Sequence, residues 1–186
     1  STYLQPAATF TWIPITSSII EQQNGNIINL PLSTPIQISD NLYDKVVVHT
    51  NGSISLSNTL SNDANESILI KGHKNASYLS IDAESDILFE ETRFNDVSCY
   101  VFSFMDLHFD YERTSQNSVT FQIVLSPSHP NRIWINYLKV GEDRWGDGAI
   151  AYIQHNATTQ IAQFPKENNM TLKAQISLEG YFGSGT

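Results

Sequence analysis

Residues 97–140 constrain the fold more than any other part of the chain. They read VSCYVFSFMDLHFDY, then a polar break ERTSQNS, then VTFQIVL, the turn SPSHPN and RIWINYLKV. Aromatic and β-branched residues at alternating positions are the mark of half-buried strands, and the proline-containing turn joins the last two runs as an antiparallel hairpin. The first run changes phase along its length. Phe102 and Phe104 share one parity, whereas Met105, Leu107, Phe109 and Tyr111 share the other. A strand can change the face it buries only through a bulge or a crossing between sheets. An irregularity is therefore expected near Phe104–Asp106.

The same reading extends outward. LYDKVVVHTNGSISLSN places two strand runs around Asn51-Gly52, the preferred pair for a two-residue type I′ turn. That register pairs Thr50 with Ser53, His49 with Ile54 and Val47 with Leu56, whereas a bulge at Gly52 would swap the two faces. FTWIPI is interrupted by Pro14, which suits an edge strand or a covering segment. PIQIS supplies a short strand near 35–39, and SILIKG and YLSI two more. DAESDILFEETRF is open between a strand with a loop and one or two helical turns. AIAYIQHN and TTQIAQF form a further hairpin turning near Asn156-Ala157, and MTLKAQISLEGYF closes the chain by alternating Leu172, Ala174, Ile176 and Leu178. No stretch of helical periodicity is long enough for a regular helix. The expected fold is all-β: an antiparallel β-sandwich, jelly-roll-like, of about ten to twelve short strands with little helix. Residues 1–182 read as a single domain, and the closing GSGT at 183–186 as a linker remnant.

Charge and composition narrow the partners. A formal net charge of −9, with ten scattered basic residues, opposes nucleic acid and anionic membrane surfaces, both of which need clustered Lys and Arg. Only 16% of residues are charged, so Asn, Ser, Thr and Gln do most of the solubilising, a surface style common in secreted and cell-surface β proteins. No apolar run is long enough to span a bilayer as a helix. The chain opens at Ser1 without Met, as a mature or trimmed chain does. Cys99 is the one cysteine, which excludes an internal disulfide, and it shares a strand face with Val97 and Val101 as a small buried hydrophobe. Sequons occur at Asn51, Asn65, Asn75, Asn156 and Asn169, so a eukaryotic source would allow a glycoprotein.

Two constellations carry candidate chemistry. Asp106, His108 and Asp110 lie two apart and would project from one face of a regular strand, where carboxylates and an imidazole suit a divalent metal. The plainer reading is the polar side of a half-exposed strand. Asp143, Arg144, Trp145 and Asp147 sit in the glycine-rich loop Gly141–Gly148. A tryptophan beside carboxylates and a guanidinium can stack on a sugar ring and hydrogen-bond its hydroxyls, and the loop's oxygens also suit Ca2+. The plainer reading here is a long hairpin loop with Trp145 folded onto the sheet. Metal-protease, nucleophile-elbow, P-loop and dinucleotide motifs are missing, and the adjacent Glu90 and Glu91 face opposite ways on a strand, so no enzyme is expected.

Four segments, VVVHTNGSISLSN, YVFSFMDLHFD, TFQIVLSPSHPNRIWINYLKV and AIAYIQHNATTQIAQF, resemble in order the nidogen-like (NIDO) extracellular domain and related bacterial surface modules. Phe104 and Met105 stand where that family carries a tryptophan before the first aspartate. The resemblance implies an extracellular, secreted or cell-surface module for adhesion or assembly, without catalysis, whose partner is a protein or glycan on a cell or matrix surface. The alternative is a lectin-like carbohydrate-binding module built on the 141–148 loop.

Overall fold

A computed structural model describes residues 2–59, 67–74, 79–111, 117–141, 151–155, 160–166 and 172–183. Among them are thirteen strands: β1 (Thr2–Pro6), β2 (Ile27–Ile38), β3 (Asn41–His49), β4 (Ser53–Ser57), β5 (Ile68–Lys71), β6 (Leu79–Ser80), β7 (Asp86–Phe94), β8 (Val97–Phe109), β9 (Ser118–Leu125), β10 (Arg132–Lys139), β11 (Ala151–His155), β12 (Gln160–Phe164) and β13 (Ile176–Phe182). A 3-10 turn covers Ile20–Gln22, and among the described residues no helix is long and apolar enough to cross a membrane. One sheet has seven strands in the order β1-β13-β10-β9-β8-β6, with β7 also paired to β8. The other has six in the order β12-β11-β5-β4-β3-β2. Every pairing is antiparallel. The fold is the all-β sandwich that the alternation predicts.

The main core lies between the sheets. Phe102, Phe104, Leu107 and Phe109 of β8 meet Phe121, Ile123, Ile133, Ile135 and Tyr137 of β9 and β10, and Val46, Val48, Ile54, Ile70 and Ile153 of the six-stranded sheet. β8 keeps its aromatics in this core on both sides of the phase change because the register shifts between Phe104 and Leu107, with Asp106 at φ 53°. Asp106 can hold that left-handed conformation because its own polar groups are anchored: its amide donates to Thr120 Oγ1 at 2.9 Å and its carboxylate accepts from Ser118 Oγ at 3.0 Å.

The β3–β4 hairpin departs from the two-residue register. His49 pairs with Ser53, Val48 with Ile54 and Val46 with Leu56, so Val46 and Val48 face the core rather than Val47 and His49. Thr50, Asn51 and Gly52 make the turn, Gly52 sits at φ 89°, and its α-carbon lies under the Phe121 ring, where a Cβ would come within 2.8 Å. This is the arrangement in which a glycine bulge exchanges the two faces. Three segments also differ from their simplest reading. β2 reaches from Ile27 to Ile38 with a register shift between Pro31 and Ile36, well beyond the strand expected at 35–39. The 86–94 segment is a strand throughout. The last strand is regular only from Ile176, because Gln175 takes φ 56° and turns the chain away from Ala174, which is exposed.

Candidate functional site

Beyond the strand β1, residues 7–19 run as a strap across the outer face of the seven-stranded sheet. Ala7 N–H donates to Ser177 O at 2.7 Å, and Thr11 N–H donates to Ser177 Oγ at 2.8 Å. The central fastening is Gln122 of β9, which is fully buried. Its Oε1 accepts from Ile13 N–H at 2.8 Å and from Asn136 Nδ2 at 2.8 Å, while its Nε2 donates to Ile13 O at 3.0 Å and Ser103 Oγ at 3.1 Å. The primary amide thus stands in for a neighbouring strand, satisfying both backbone groups of Ile13. Ile13 and Ile15 then pack on Leu88, Cys99, Val101 and Val124 to make a second, smaller apolar cluster. Cys99 lies in it as a buried group, and burial pushes its thiol up, which keeps it protonated at neutral pH.

The far end of the strap is held by charge. Glu90 accepts from Thr16 N–H at 2.5 Å and Ser17 N–H at 3.1 Å, and those backbone bonds, Thr16 first, hold its carboxyl below the usual glutamate range. A depressed carboxyl contributes stability that is complete above the ordinary glutamate value and lost as pH falls below it. Amide exchange at Thr16 and Ser17, corrected for its intrinsic pH dependence, is expected to accelerate on acidification from about pH 5 to about pH 3. Glu90→Gln should abolish that pH dependence. Unchanged protection in the parent protein at the acid end would show that Glu90 does not hold the strap.

The strap leaves the adjoining part of the face open as a groove of about 400 Å³. Its floor is Cys99, Val124 and Trp134, the β7–β8 hairpin closes one end with Phe94, and Ala8, Thr11 and Ile13 form one wall. The other end runs toward β13, where Glu179 lines it. Trp134 is half-buried, with the Arg132 guanidinium 5.5 Å from its ring centroid and His129 edge-on at 5.6 Å. Arg132 in turn lies 3.6 Å from the Glu179 carboxylate. The groove combines an aromatic floor with a rim that donates and accepts hydrogen bonds, the usual make-up of a recognition site.

Of the sequence-derived candidates, three are described. Asp143, Arg144, Trp145 and Asp147 lie outside the described residues. Asp106, His108 and Asp110 are described, and each is engaged separately. The Asp106 carboxylate sits in the bulge against Ser118, which interrupts the alternation that would align it with the other two. His108 is 1% exposed, with Nδ1 2.9 Å from Asp82 Oδ2 and Nε2 3.8 Å from Glu84 Oε2. Asp110 accepts from Ser80 Oγ at 2.7 Å and borders a smaller polar recess of about 240 Å³ beside His49 and Asn51. Among the described residues no group of three or more His, Cys, Asp and Glu is placed to hold a metal ion. The groove itself had one trace in the sequence: in RIWINY, Trp134 stands on the parity of Arg132 and Asn136 rather than with the core residues Ile133, Ile135 and Tyr137.

Comparison of the chain with models of known protein families, with curated proteins and with solved structures finds no match.

Proposed function

We propose that this chain is a non-catalytic recognition module of an extracellular or cell-surface protein, serving adhesion or assembly, and that it engages its partner through the groove beside the strap. The observation that carries the reading is the groove itself: a half-buried tryptophan, flanked by Arg132 beside the groove, with Glu179 at one end of an apolar floor, on the outside of a sheet whose inner face already packs a complete core. Aromatic and arginine side chains with polar neighbours are the groups that dominate recognition surfaces. The uncharged polar surface and the resemblance to nidogen-like modules support the extracellular placement.

Adhesion of protein-coated beads to fixed cells and matrix surfaces tests it. Trp134→Ala should lower adhesion at least tenfold, whereas Leu42→Ala, at a side chain 51% exposed on the six-stranded sheet, should leave it unchanged. Equal adhesion by parent and Trp134→Ala, or no adhesion by the parent to any surface, overturns the reading.

A second reading, carbohydrate binding, is favoured by the aromatic side chains exposed next to the groove. Built on the 141–148 loop, it rests on Asp143, Arg144, Trp145 and Asp147 with calcium, and it then requires that EDTA abolish sugar binding.

A further inference from the structure

We infer that the outer face of β1, β13 and β10 binds a neutral glycan chain, its pyranose rings stacking on Tyr3, Tyr181 and Trp134. This rests on the recognition reading above and names the ligand class and the residues that would select it.

The register sets these side chains in two rows. Tyr3 pairs with Tyr181, which pairs with Arg132. One step along the same face, Gln5 pairs with Glu179, which pairs with Trp134. Strands are spaced about 4.8 Å apart and alternate residues about 7 Å, so the two rows form a platform roughly 10 Å by 7 Å. Tyr3 is 40% exposed and Tyr181 37%, with ring centroids 5.5 Å apart. Their chain neighbours Leu4 and Phe182 point inward and are buried, so the core makes no use of the two tyrosines. The rings continue directly into the groove, because Trp134 and Glu179 line both.

The chemistry of the platform selects among ligands. Ring faces take the C–H face of a pyranose, and the Glu179 carboxylate, the Gln5 amide and the Arg132 guanidinium can bind its equatorial hydroxyls. A polyanion is disfavoured, since Arg132 is already 3.6 Å from Glu179 and the chain carries −9 overall. An extended peptide that binds by adding a strand needs a free strand edge. On this sheet β1 runs beside β12, and on the opposite edge Ile19 N–H bonds Ile87 O and Phe89 N–H bonds Ser17 O. What the face offers is ring surface and polar tips, which fits a sugar better than an added strand.

Affinity electrophoresis of the intact protein through gels containing soluble β-glucan, xylan, galactomannan or glycol chitin tests the inference. At least one of these neutral polysaccharides should retard the parent protein, with or without EDTA. Tyr181→Ala should weaken that retardation at least tenfold, its thermal midpoint falling by no more than the loss of one cross-strand ring pair explains, and Tyr181→Phe should preserve both retardation and midpoint. Retardation that Tyr181→Ala and Tyr3→Ala both leave intact overturns the placement. No retardation by any of them, with Trp134-dependent bead adhesion retained, overturns the glycan and leaves a protein partner. Loss of both overturns the recognition reading as well.

Discussion

Truncation of Phe121 to alanine is expected to cost about 3–5 kcal/mol of folding stability, the range for removing a large ring from a packed interior. Phe121 is fully buried at the centre of the sandwich, with ring centroids 5.0 Å from Phe104 and 5.6 Å from Tyr137. It also bridges the sheets by lying against two glycines of the opposite layer. A Cβ at Gly72 would sit 2.1 Å from the ring, and one at Gly52 2.8 Å from it. Gly72→Ala should therefore be destabilising by itself, because a close-packed core has no room for the methyl group. Its carbonyl also accepts the buried Tyr137 hydroxyl at 2.6 Å, so the segment cannot easily shift away. In the double variant the missing ring makes space for the new methyl group. Urea unfolding should show the pair less destabilised than the sum of the single changes. Strict additivity would mean that the ring is not what excludes a side chain at position 72.

Replacement of Gln122 by leucine should cost about 2–4 kcal/mol, although the two side chains are similar in size. The change strands the N–H and C=O of Ile13 and removes the acceptor of the Asn136 amide, and each buried polar group left without a partner costs about 1–3 kcal/mol, partly relieved by local shifts. The loss is local before it is global. Limited proteolysis within residues 7–19 should begin well below the denaturation midpoint in Gln122→Leu and not in the parent. Gln122→Glu should be no rescue, since a carboxylate cannot donate to Ile13 O. A leucine variant with an unchanged midpoint and an intact strap would show that water satisfies Ile13 as well as Gln122 does.

The strands were legible where side-chain alternation alone decides them. The phase change after Phe104 foretold the bulge at Asp106, since no regular strand could bury both Phe104 and Leu107 on one side. Strand alternation also puts Cys99 on one face with Val97 and Val101, and these residues share the outer apolar cluster. The β3–β4 register was not legible from Asn51-Gly52 by itself. It is set by Gly52 packing under Phe121, a contact between segments far apart in sequence. The strap shows the same limit. Pro14 excluded a central strand, yet only the sheet order brings Gln122 to Ile13, 109 positions away. The four stretches that resemble a nidogen-like module fall on three hairpins and the long strand β8, elements that many sandwiches share. Site candidates chosen by spacing assumed regular strands. Asp106, His108 and Asp110 lose their common face at the point where the strand is irregular.

The pairing of Thr2 with Phe182 has a mechanical side. Because β1 and β13 run antiparallel with those two residues opposite each other, tension between them loads the hydrogen bonds one after another, as in a zip, rather than all at once in shear. Peeling would continue from Pro6 to the Ala7–Ser177 bond and then to Thr11, so stretching would undo the strap from its β1 end before it reached Gln122. The wall of the groove is therefore the part of this sandwich that yields to a pull directly after β1.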